Sequence, residues 1–317
     1  MRTMVTGGAG FIGSTLVDRL LAEGHSVDVV DDLSTGSLAN LADARSDPSN
    51  DVTFHQMDIR SDELVELMTL RRPEVVFHLA AQADVRVSVR RPVFDAEVNI
   101  IGTLRVLEGA RISGSERVVF AASGGTLYGE ADPSDLPIRE SHPHRPTSPY
   151  GVSKEAAIDY LTAYRELHSL EFSALALANV FGPRQDPHGE AGVVAIFADR
   201  LLQDEPVTIY GDGEQTRDFV YVDDVVDAFV RAASKGGGLL MNIGTGRETT
   251  VNELARVMAE EAGVVKPALY APARPGELER NALDSERAQI HLGWTAWTEL
   301  RPGVQAVLDF VMSRLET

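Results

Sequence analysis

The chain has 317 residues, of which 44% are hydrophobic, and it contains no cysteine. This length can bury one large core or two modest ones, and the lack of cysteine excludes disulfides, thiol catalysis and zinc–thiolate sites. The formal net charge of −19 argues against nucleic acid or an anionic membrane surface as a partner, because both attract a basic face. It does not argue against an anionic small molecule, whose binding depends on local arginines.

The chain opens with an apolar strand, Arg2 to Val5, followed by a glycine-rich turn and an amphipathic helix, Ser14 to Glu23. Gly7, Gly10 and Gly13 fall in the turn, where glycine allows positive φ and a close approach of backbone to a pyrophosphate. The free N–H groups and the helix dipole then bind phosphate. The turn is therefore predicted to hold a dinucleotide, although a glycine turn that only joins strand to helix is the plainer interpretation.

Two adjacent acids, Asp31 and Asp32, end the next predicted strand, Ser26 to Val30. An acid at about this distance from the glycine turn binds the adenosine ribose hydroxyls. Two carboxylates would repel a 2′-phosphate, and no Arg or Lys follows before Arg45. The pattern favours NAD over NADP, with Asp32 the better candidate for an ordinary solvated turn acid.

Further apolar strands are predicted at Val52–Gln56, Val75–Leu79 and Arg117–Ala122, with helical stretches between them. This alternation predicts an α/β fold with a doubly wound parallel sheet of the Rossmann type. Ligands bind at the carboxyl ends of such strands. The residues at those ends are Asp58, Ile59, Ala80, Ala81, Gln82 and Ser123. Long helices are predicted at Val93–Ile112, which carries Asn99, and at Tyr150–His168.

The second half is less regular and predicts a smaller substrate lobe, beginning after a sixth strand, Glu171 to Leu177. Residues 1–178 are assigned to the dinucleotide-binding domain and 179–317 mainly to the lobe, with some segments returning to the first domain. Short strands are predicted at Val207–Tyr210, Asp218–Val222 and Leu239–Ile243. Helices are predicted up to Leu202 and at Asp223–Ala233, Val251–Ala262, Ser285–Leu292 and Pro302–Leu315.

Tyr150 and Lys154 are four residues apart on a predicted helix, so both side chains point from one face. Tyrosine has an unperturbed pKa near ~10, and one ammonium about 4 Å away in a partly buried site lowers it by roughly 3 units. The pair is a base with its activator, although Tyr-x-x-x-Lys alone is common by chance. Ser123, or Thr126 three residues on, would hydrogen-bond the reacting hydroxyl. Together with the glycine turn, the pair indicates an enzyme that moves a hydride through nicotinamide.

Seven segments make a more specific resemblance: TGGAGFIG, DDLSTG, HLAAQADVRVS, SPYGVSK, NVFGPRQDP, GDGEQTRDFVYVDD and RPGE. They resemble the nucleotide-sugar epimerase/dehydratase family of extended short-chain dehydrogenases/reductases, and in particular its members that epimerise UDP-hexoses at C4. The resemblance runs from Met1 to at least Trp294.

The resemblance implies oxidation to a 4-keto sugar, rotation of that intermediate and return of hydride to its other face. Tyr150 would be the base and Lys154 would hold the nicotinamide ribose, with NAD neither consumed nor released. UDP-glucose and UDP-galactose are the favoured substrates; UDP-glucuronate and UDP-N-acetylhexosamines are alternatives. A reductase that releases its cofactor and a non-catalytic dinucleotide sensor are more remote alternatives.

The resemblance also assigns residues to each ligand. Implied cofactor contacts are Gly7, Gly10, Phe11, Ile12, Gly13, Asp31, Asp32, Leu33, Ser34, Thr35, Gly36, Asp58, Ile59, Leu79, Ala80, Ala81, Gln82, Asn99, Ala121, Tyr150 and Lys154. Implied substrate contacts are Ser123, Tyr150, Asn179, Gly192, Val193, Val194, Phe197, Thr208, Tyr210, Arg217, Arg274 and Glu277. The two arginines suit phosphate, although both could be ordinary surface charges.

Three positions bear on the exact reaction. Ala176-Leu177 stands where the family usually has Arg-Tyr, which removes a polar pair near the sugar. The segment 124–127 lacks the acid that dehydration needs. Asn281 occupies the position at which a bulky aromatic in related epimerases excludes 2-acetamido sugars.

The family commonly pairs through its two long helices, so a homodimer is expected. The chain goes straight into a strand and has no apolar run that approaches 18 residues, so a cytoplasmic protein is expected. The eight histidines show no ligand spacing on a helix, so no metal site is expected.

Overall fold

The computed structural model describes residues 1–187, 192–274 and 278–315. Its strands, in chain order, are β1 (Arg2–Thr6), β2 (Ser26–Asp31), β3 (Val52–Gln56), β4 (Val75–His78), β5 (Arg117–Ser123), β6 (Glu171–Leu177), β7 (Asn179–Phe181), β8 (Thr208–Tyr210), β9 (Thr216–Arg217), β10 (Phe219–Tyr221), β11 (Leu239–Ile243), β12 (Thr249–Thr250) and β13 (Leu269–Ala271). Its α-helices are α1 (Phe11–Ala22), α2 (Ala42–Ser46), α3 (Glu63–Arg71), α4 (Val85–Arg90), α5 (Pro92–Ala96), α6 (Thr103–Ser113), α7 (Gly124–Leu127), α8 (Pro149–His168), α9 (Val193–Leu202), α10 (Val222–Ala232), α11 (Val251–Glu261), α12 (Glu286–Leu292) and α13 (Leu300–Leu315). Across these ranges, no helix is both long and apolar enough to cross a membrane.

Seven strands form one sheet in the order β11-β6-β5-β4-β1-β2-β3, and every neighbouring pair is parallel. The predicted doubly wound parallel sheet is therefore confirmed. The strand order reverses between β1 and β4, which is where ligands bind in sheets of this kind. The inner strands β1, β2, β4, β5 and β6 are buried over most of their length, as expected where helices cover both faces of a parallel sheet.

Two cores hold the molecule together. The first surrounds the large sheet and includes residues from both halves of the sequence, among them Met4, Phe77, Val119, Leu175, Phe229, Ile243, Leu292 and Trp294. The second lies between α9, α11 and α13 and includes Phe181, Phe197, Leu201, Ile209, Leu254, Met258, Val304 and Leu308. The C-terminal half thus contributes to both cores.

Two of the differences between the structure and the sequence-based elements are a divided helix and a set of short strands. The helix predicted over 93–112 is divided by a π-helical turn, Glu97–Gly102, between α5 and α6, and this turn carries Asn99. Four short strands were not predicted: β7, β9, β12 and β13, which form two- and three-residue pairs. Such short pairs carry no periodicity of their own, so only tertiary contacts specify them.

A buried histidine joins the end of β1 to the end of β4 and to α6. The His78 side chain is 1% exposed, and its Nδ1 lies 2.7 Å from Thr6 Oγ1 while its Nε2 lies 2.9 Å from Thr103 Oγ1. The Thr103 hydroxyl donates to the Asn99 carbonyl at 2.7 Å, so it can only accept from the imidazole. These hydrogen bonds indicate that the His78 ring is neutral. Its hydrogen is on Nε2, and Nδ1 accepts the hydrogen bond from the Thr6 hydroxyl.

Burial keeps this imidazole uncharged. Desolvation, and then the nearby Lys154 ammonium, lower the pKa of His78 from 6.5 to about 3. The unfolded chain therefore takes up a proton below pH 6.5 that the folded protein does not take up until about pH 3. Since the unfolded state binds more protons in that window, stability falls as the pH drops through it.

His78→Gln should remove this component of the pH dependence, because an amide can donate and accept without titrating. Between about pH 7.5 and about pH 5, the wild type should lose about 2 kcal/mol more unfolding free energy than the variant. Urea denaturation at several pH values measures the difference, and all other titrating groups contribute equally to both proteins. Parallel stability–pH curves would contradict the assignment.

Candidate active site at the carboxyl edge of the sheet

The glycine turn fits tightly between β1 and α1. Gly7 has a φ of 71°, and a Cβ on it would lie 2.7 Å from the Ala80 nitrogen. A Cβ on Gly13 would lie 2.1 Å from the Gly7 carbonyl oxygen. The turn therefore presses against the loop after β4, and Phe11 begins the helix behind it. This is the shape of backbone that a pyrophosphate can approach closely.

Asp31 at the end of β2 braces this turn. Its buried carboxylate accepts the backbone N–H of Ala9 at 2.9 Å and that of Leu33 at 2.8 Å, and burial raises its pKa. Two lone pairs remain for ribose hydroxyls. Asp32 is exposed and accepts the Ser34 N–H at 2.9 Å, as expected of a turn acid. The loop of Leu33, Ser34, Thr35 and Gly36 follows, with Ser37 N–H donating back to the Ala9 carbonyl at 3.0 Å.

Asp58 and Ile59 follow β3 at the adenosine end predicted from the sequence. Arg60 donates to Asp58 from its backbone N–H at 2.8 Å and from its guanidinium Nε at 3.0 Å, which lowers the pKa of the carboxyl. The guanidinium also lies over the Phe94 ring, 5.5 Å from its centroid. Ile59 is buried, whereas the Asp58 carboxylate is half-buried and reaches solvent. Nothing in the sequence pattern singled out Arg60.

The loop after β4 carries Leu79, Ala80, Ala81 and Gln82, and Asn99 clamps its end. The buried Asn99 side chain accepts the Gln82 N–H at 2.9 Å and donates to the Gln82 carbonyl at 2.8 Å. This amide thus orders the loop, while the loop lies against Gly7. The π-helical turn places the Asn99 side chain there.

Tyr150 and Lys154 lie in the first turns of α8. Pro149 starts this helix, and Ser148 caps it by accepting the Gly151 N–H at 3.2 Å. Both Tyr150 and Lys154 are buried. Lys154 Nζ donates to the Ala121 carbonyl of β5 at 2.8 Å and lies 5.7 Å from the centroid of the Tyr150 ring. A cation in this position favours the deprotonated form of the phenol.

The two candidate hydroxyls lie one helical turn apart in this corner. Ser123 ends β5 and directly precedes α7, and Thr126 Oγ1 donates to the Ser123 carbonyl at 3.5 Å. Thr126 packs on α8: a Cβ on Gly151 would lie 2.7 Å from the Thr126 carbonyl oxygen. Both hydroxyls therefore lie in the segment that packs against the start of α8, where Tyr150 is located.

The small β7–β10 pair brings Asn179 near Arg217, because Asn179 is the partner of Phe219, two residues after Arg217. The Asn179 N–H donates to the Asp218 carbonyl at 2.9 Å, and Arg217 Nη1 donates to the Leu278 carbonyl at 2.8 Å. Gly192 lies close by, since a Cβ on it would be 2.6 Å from Gln185 Nε2, which itself donates to the Val180 carbonyl at 3.3 Å.

A second group of predicted substrate residues consists of Tyr210, which ends β8, and Arg274, which follows β13. The Arg274 guanidinium carbon lies 3.7 Å from the centroid of the Tyr210 ring, and Thr208 is exposed at the start of β8. Of the residues expected on α9, Val194 and Phe197 are buried in the second core, while Val193 is half-buried at the helix start. Glu277 lies outside the described residues.

Asp218 has a role that the sequence did not reveal. Its fully buried carboxylate accepts the backbone N–H groups of Thr245 at 2.8 Å, Gly246 at 3.0 Å and Leu283 at 3.1 Å, and burial raises its pKa. It thereby joins three chain segments behind Asn179. Ala176 and Leu177, which replace the family's usual polar pair, are buried in the first core. Among the residues that the structure describes, no group of His, Asp and Glu could hold a metal ion.

Comparison with known proteins agrees with this geometry. The profile of the "NAD dependent epimerase/dehydratase family" matches residues 3–244. A UDP-glucose 4-epimerase of Mycolicibacterium smegmatis is 49% identical over 315 residues, with 99% of each chain covered.

Two solved structures share the whole architecture. The UDP-glucose 4-epimerase of Thermotoga maritima with UDP-glucose superposes with a TM-score of 0.95 at 44% identity, covering 99% of this chain and 100% of that one. The UDP-glucose 4-epimerase of Thermus thermophilus in complex with NAD gives 0.90 at 43% identity, covering 98% and 99%. By fold, by sequence over nearly its full length and by the NAD-type glycine turn, this chain belongs to the NAD dependent epimerase/dehydratase family.

Proposed function

We propose that this chain catalyses the NAD-dependent 4-epimerisation of a UDP-hexose, with UDP-glucose and UDP-galactose as the favoured pair. The observation that carries the proposal is the buried Tyr150–Lys154 pair, held by the Ala121 carbonyl beside Ser123. Three proteins that are 43% to 49% identical to it are UDP-glucose 4-epimerases. UDP-glucuronate and UDP-N-acetylhexosamines remain alternative substrates.

The residues present fit NAD. Gly7 and Gly13 leave no room for a side chain beneath the predicted pyrophosphate, and Asp31 keeps lone pairs for the adenosine ribose. Lys154 would hold the nicotinamide ribose. When bound, NAD supplies a reversible acceptor for the hydrogen on C4 of the sugar.

Tyr150 is the proposed base. Its phenolate takes the proton from the sugar O4 as C4 becomes a carbonyl, and it returns that proton after the 4-keto sugar has turned over. Ser123 or Thr126 hydrogen-bonds O4 and holds it against Tyr150. A dehydratase needs an acid near Tyr150 to eliminate water from the sugar. The segment 124–127 contains no carboxylic acid, so dehydration is not expected.

The nucleotide part is proposed to bind between the two groups of the second lobe. Asn179, Arg217 and the start of α9 would meet the diphosphate and uridine, and Arg274 would contact phosphate. An arginine fork matches phosphate in geometry as well as in charge. Tyr210 and Thr208 would flank the uracil.

A single assay separates the three possible activities. Purified protein is mixed with UDP-galactose, without added NAD, and the nucleotide sugars are resolved. An epimerase with retained cofactor forms UDP-glucose continuously; a reductase stops without added cofactor, and a sensor forms no product.

In the same assay, Tyr150→Phe should lower turnover by at least the ~10²–10⁴-fold typical of general-base loss, while fold and NAD binding survive. Substrate should also cease to generate the near-ultraviolet absorbance of bound reduced nicotinamide. Tyr164→Phe is the matched control on the same helix, because its hydroxyl bonds Glu108 away from the site. If the turnover of Tyr150→Phe stays within a few-fold of the wild-type turnover, the catalytic role of the pair is wrong.

Asn281 is proposed to set the width of the sugar pocket. It is 1% exposed, and neither its Nδ2 nor its Oδ1 has a hydrogen-bond partner among the described residues. Two residues on, Leu283 packs where a Cβ on Gly124 would lie, 2.3 Å from its Cδ1, so this segment borders the Ser123 corner. A small polar side chain here leaves room for a 2-acetamido group.

Asn281→Tyr should therefore lower the ratio of UDP-N-acetylhexosamine to UDP-hexose turnover, because the larger ring fills the space beside C2. Asn281→Ala, which keeps the space open, is the control and should preserve the ratio. Steady-state rates with both substrate pairs give the ratio; an unchanged value in the tyrosine variant would show that the pocket is limited elsewhere.

A homodimer is proposed from the outer face of the two long helical segments. Tyr164 of α8 donates to Glu108 of α6 at 2.7 Å, so the segments lie side by side. The apolar residues that these segments expose are Val93, Ile101, Ile112, Val152, Tyr160 and Leu167. A second copy of this face would cover these apolar groups.

Val93→Glu with Ile101→Glu should convert the dimer to a monomer, since burying two carboxylates in an apolar interface is costly. Leu70→Glu is the matched control, because Leu70 is 79% exposed on α3. Multi-angle light scattering at micromolar concentration reports the mass. A wild type that is already monomeric would refute the proposal.

Residues 1–178 are proposed to carry NAD, and residues 179–317 mainly the UDP-sugar, with some segments returning to the first domain. The two cores support this division. The net charge of −19 supports a small-molecule substrate rather than nucleic acid or an anionic membrane as partner. The cytoplasm is the proposed location.

A further inference from the structure

Asp95 is a fully buried acid at which three parts of the molecule meet. Its Oδ2 accepts the Ser153 hydroxyl of α8 at 2.6 Å. Its Oδ1 accepts the Gln82 side-chain amide at 2.8 Å and the Asn99 side-chain amide at 3.0 Å. One carboxylate on α5 thus connects the helix of the Tyr150–Lys154 pair to the loop that lies against the glycine turn.

The contact with Ser153 is one of the contacts that set how α8 is rotated about its axis. Ser153 precedes Lys154 and is itself buried, and successive residues of an α-helix are about 100° apart around the axis. A fixed Ser153 therefore fixes the direction of the neighbouring Lys154 and, one turn back, of Tyr150. Small errors in that direction matter, because misplacement by about 1 Å can cost ~10²-fold in rate.

The chemistry of this centre calls for a carboxylate. All three partners are uncharged donors, and the two oxygens of a carboxylate can accept all of them. An amide has only one accepting oxygen, so asparagine would turn an NH₂ group toward one of the donors. Hydrogen bonds to an ionised acceptor are also shorter and stronger than neutral ones, in keeping with the 2.6 Å contact.

We propose that Asp95 is a positioning residue of the epimerisation: it aligns Tyr150 and Lys154 with the loop that borders the cofactor, through Ser153 on one side and Gln82 and Asn99 on the other. The inference deepens the proposed function and rests on it for the roles of Tyr150 and Lys154. Asp95 acts on the pair through the hydrogen bond that it accepts from Ser153.

Ser153→Ala removes one arm and leaves the other two. It should lower kcat for UDP-galactose about 10-fold or more, leave KM within about two-fold and leave NAD affinity, measured by calorimetry on the apoprotein, unchanged. Ser153→Thr keeps the hydroxyl and should recover most of kcat. Asp95→Asn should lower both kcat and NAD affinity, because it also releases the Gln82–Asn99 clamp.

The double variant decides whether the two residues act as one unit. If Ser153 works only through Asp95, Asp95→Asn combined with Ser153→Ala should be no slower than Asp95→Asn alone. Losses that multiply would mean two independent effects and would overturn the proposal.

Ser115→Ala is the control for a general loss of stability. Ser115 is also a buried serine and donates to the Pro73 carbonyl at 2.7 Å, but at the amino end of the sheet. It should lower the melting temperature without changing kcat. If Ser153→Ala behaves in the same way, the contact is merely structural and the proposal fails.

The proposal can still be tested if Asp95→Asn does not fold. Ser153→Thr keeps the hydroxyl that bonds Asp95 and Ser153→Ala lacks it, so a higher kcat in the threonine variant supports the proposal and equal kcat values overturn it. If the wild type does not epimerise UDP-galactose, the proposed function fails, and calorimetry still tests the clamp: weaker NAD binding in Asp95→Asn but not in Ser153→Ala supports it, and equal affinities overturn it.

Discussion

The loops that leave the carboxyl edge of a parallel sheet carry backbone N–H groups that need hydrogen-bond acceptors. In this protein, buried carboxylates and one side-chain amide supply them. Asp31 accepts N–H groups of the glycine turn and of its own loop. Asp218 accepts three from segments behind Asn179, and Asn99 clamps Gln82. Because an orphaned N–H would cost about 1–3 kcal/mol, these side chains hold the loops in one arrangement, and the candidate site is built from those loops.

The same edge keeps its charges separated. Lys154 is buried beside the Tyr150 ring, and a second cation nearby would repel it. His78 is close enough for the ammonium to lower its pKa, yet its relay of hydroxyl partners serves a neutral ring. The imidazole therefore contributes hydrogen bonds without adding charge beside Lys154, the cation that lies against the Tyr150 ring.

The sequence predicted the sheet, its long helices and the Tyr150–Lys154 corner because those features have local signals: apolar strands, glycine in a strained turn, and a four-residue helical spacing. The division of the 93–112 helix by a π-helical turn had no such signal, since the turn carries Asn99, whose contact with the Gln82 backbone exists only in the folded protein. Arg60, Asp95 and Asp218 were likewise missed, because their partners are brought together by folding. The placement of Phe197 in a core rather than at a surface reflects the packing of α9 on α11 and α13, which one helix cannot reveal.

The seventh strand of the sheet is made from residues 239–243, far along the chain from its neighbour β6. During synthesis β6 emerges with one side unpaired, and it keeps that open edge while more than sixty further residues leave the ribosome. Contacts of such long sequence separation close late and slowly, and an open strand edge is where chains pair wrongly with one another. A chain that ends before Leu239 therefore lacks β11 and leaves this edge of β6 unpaired.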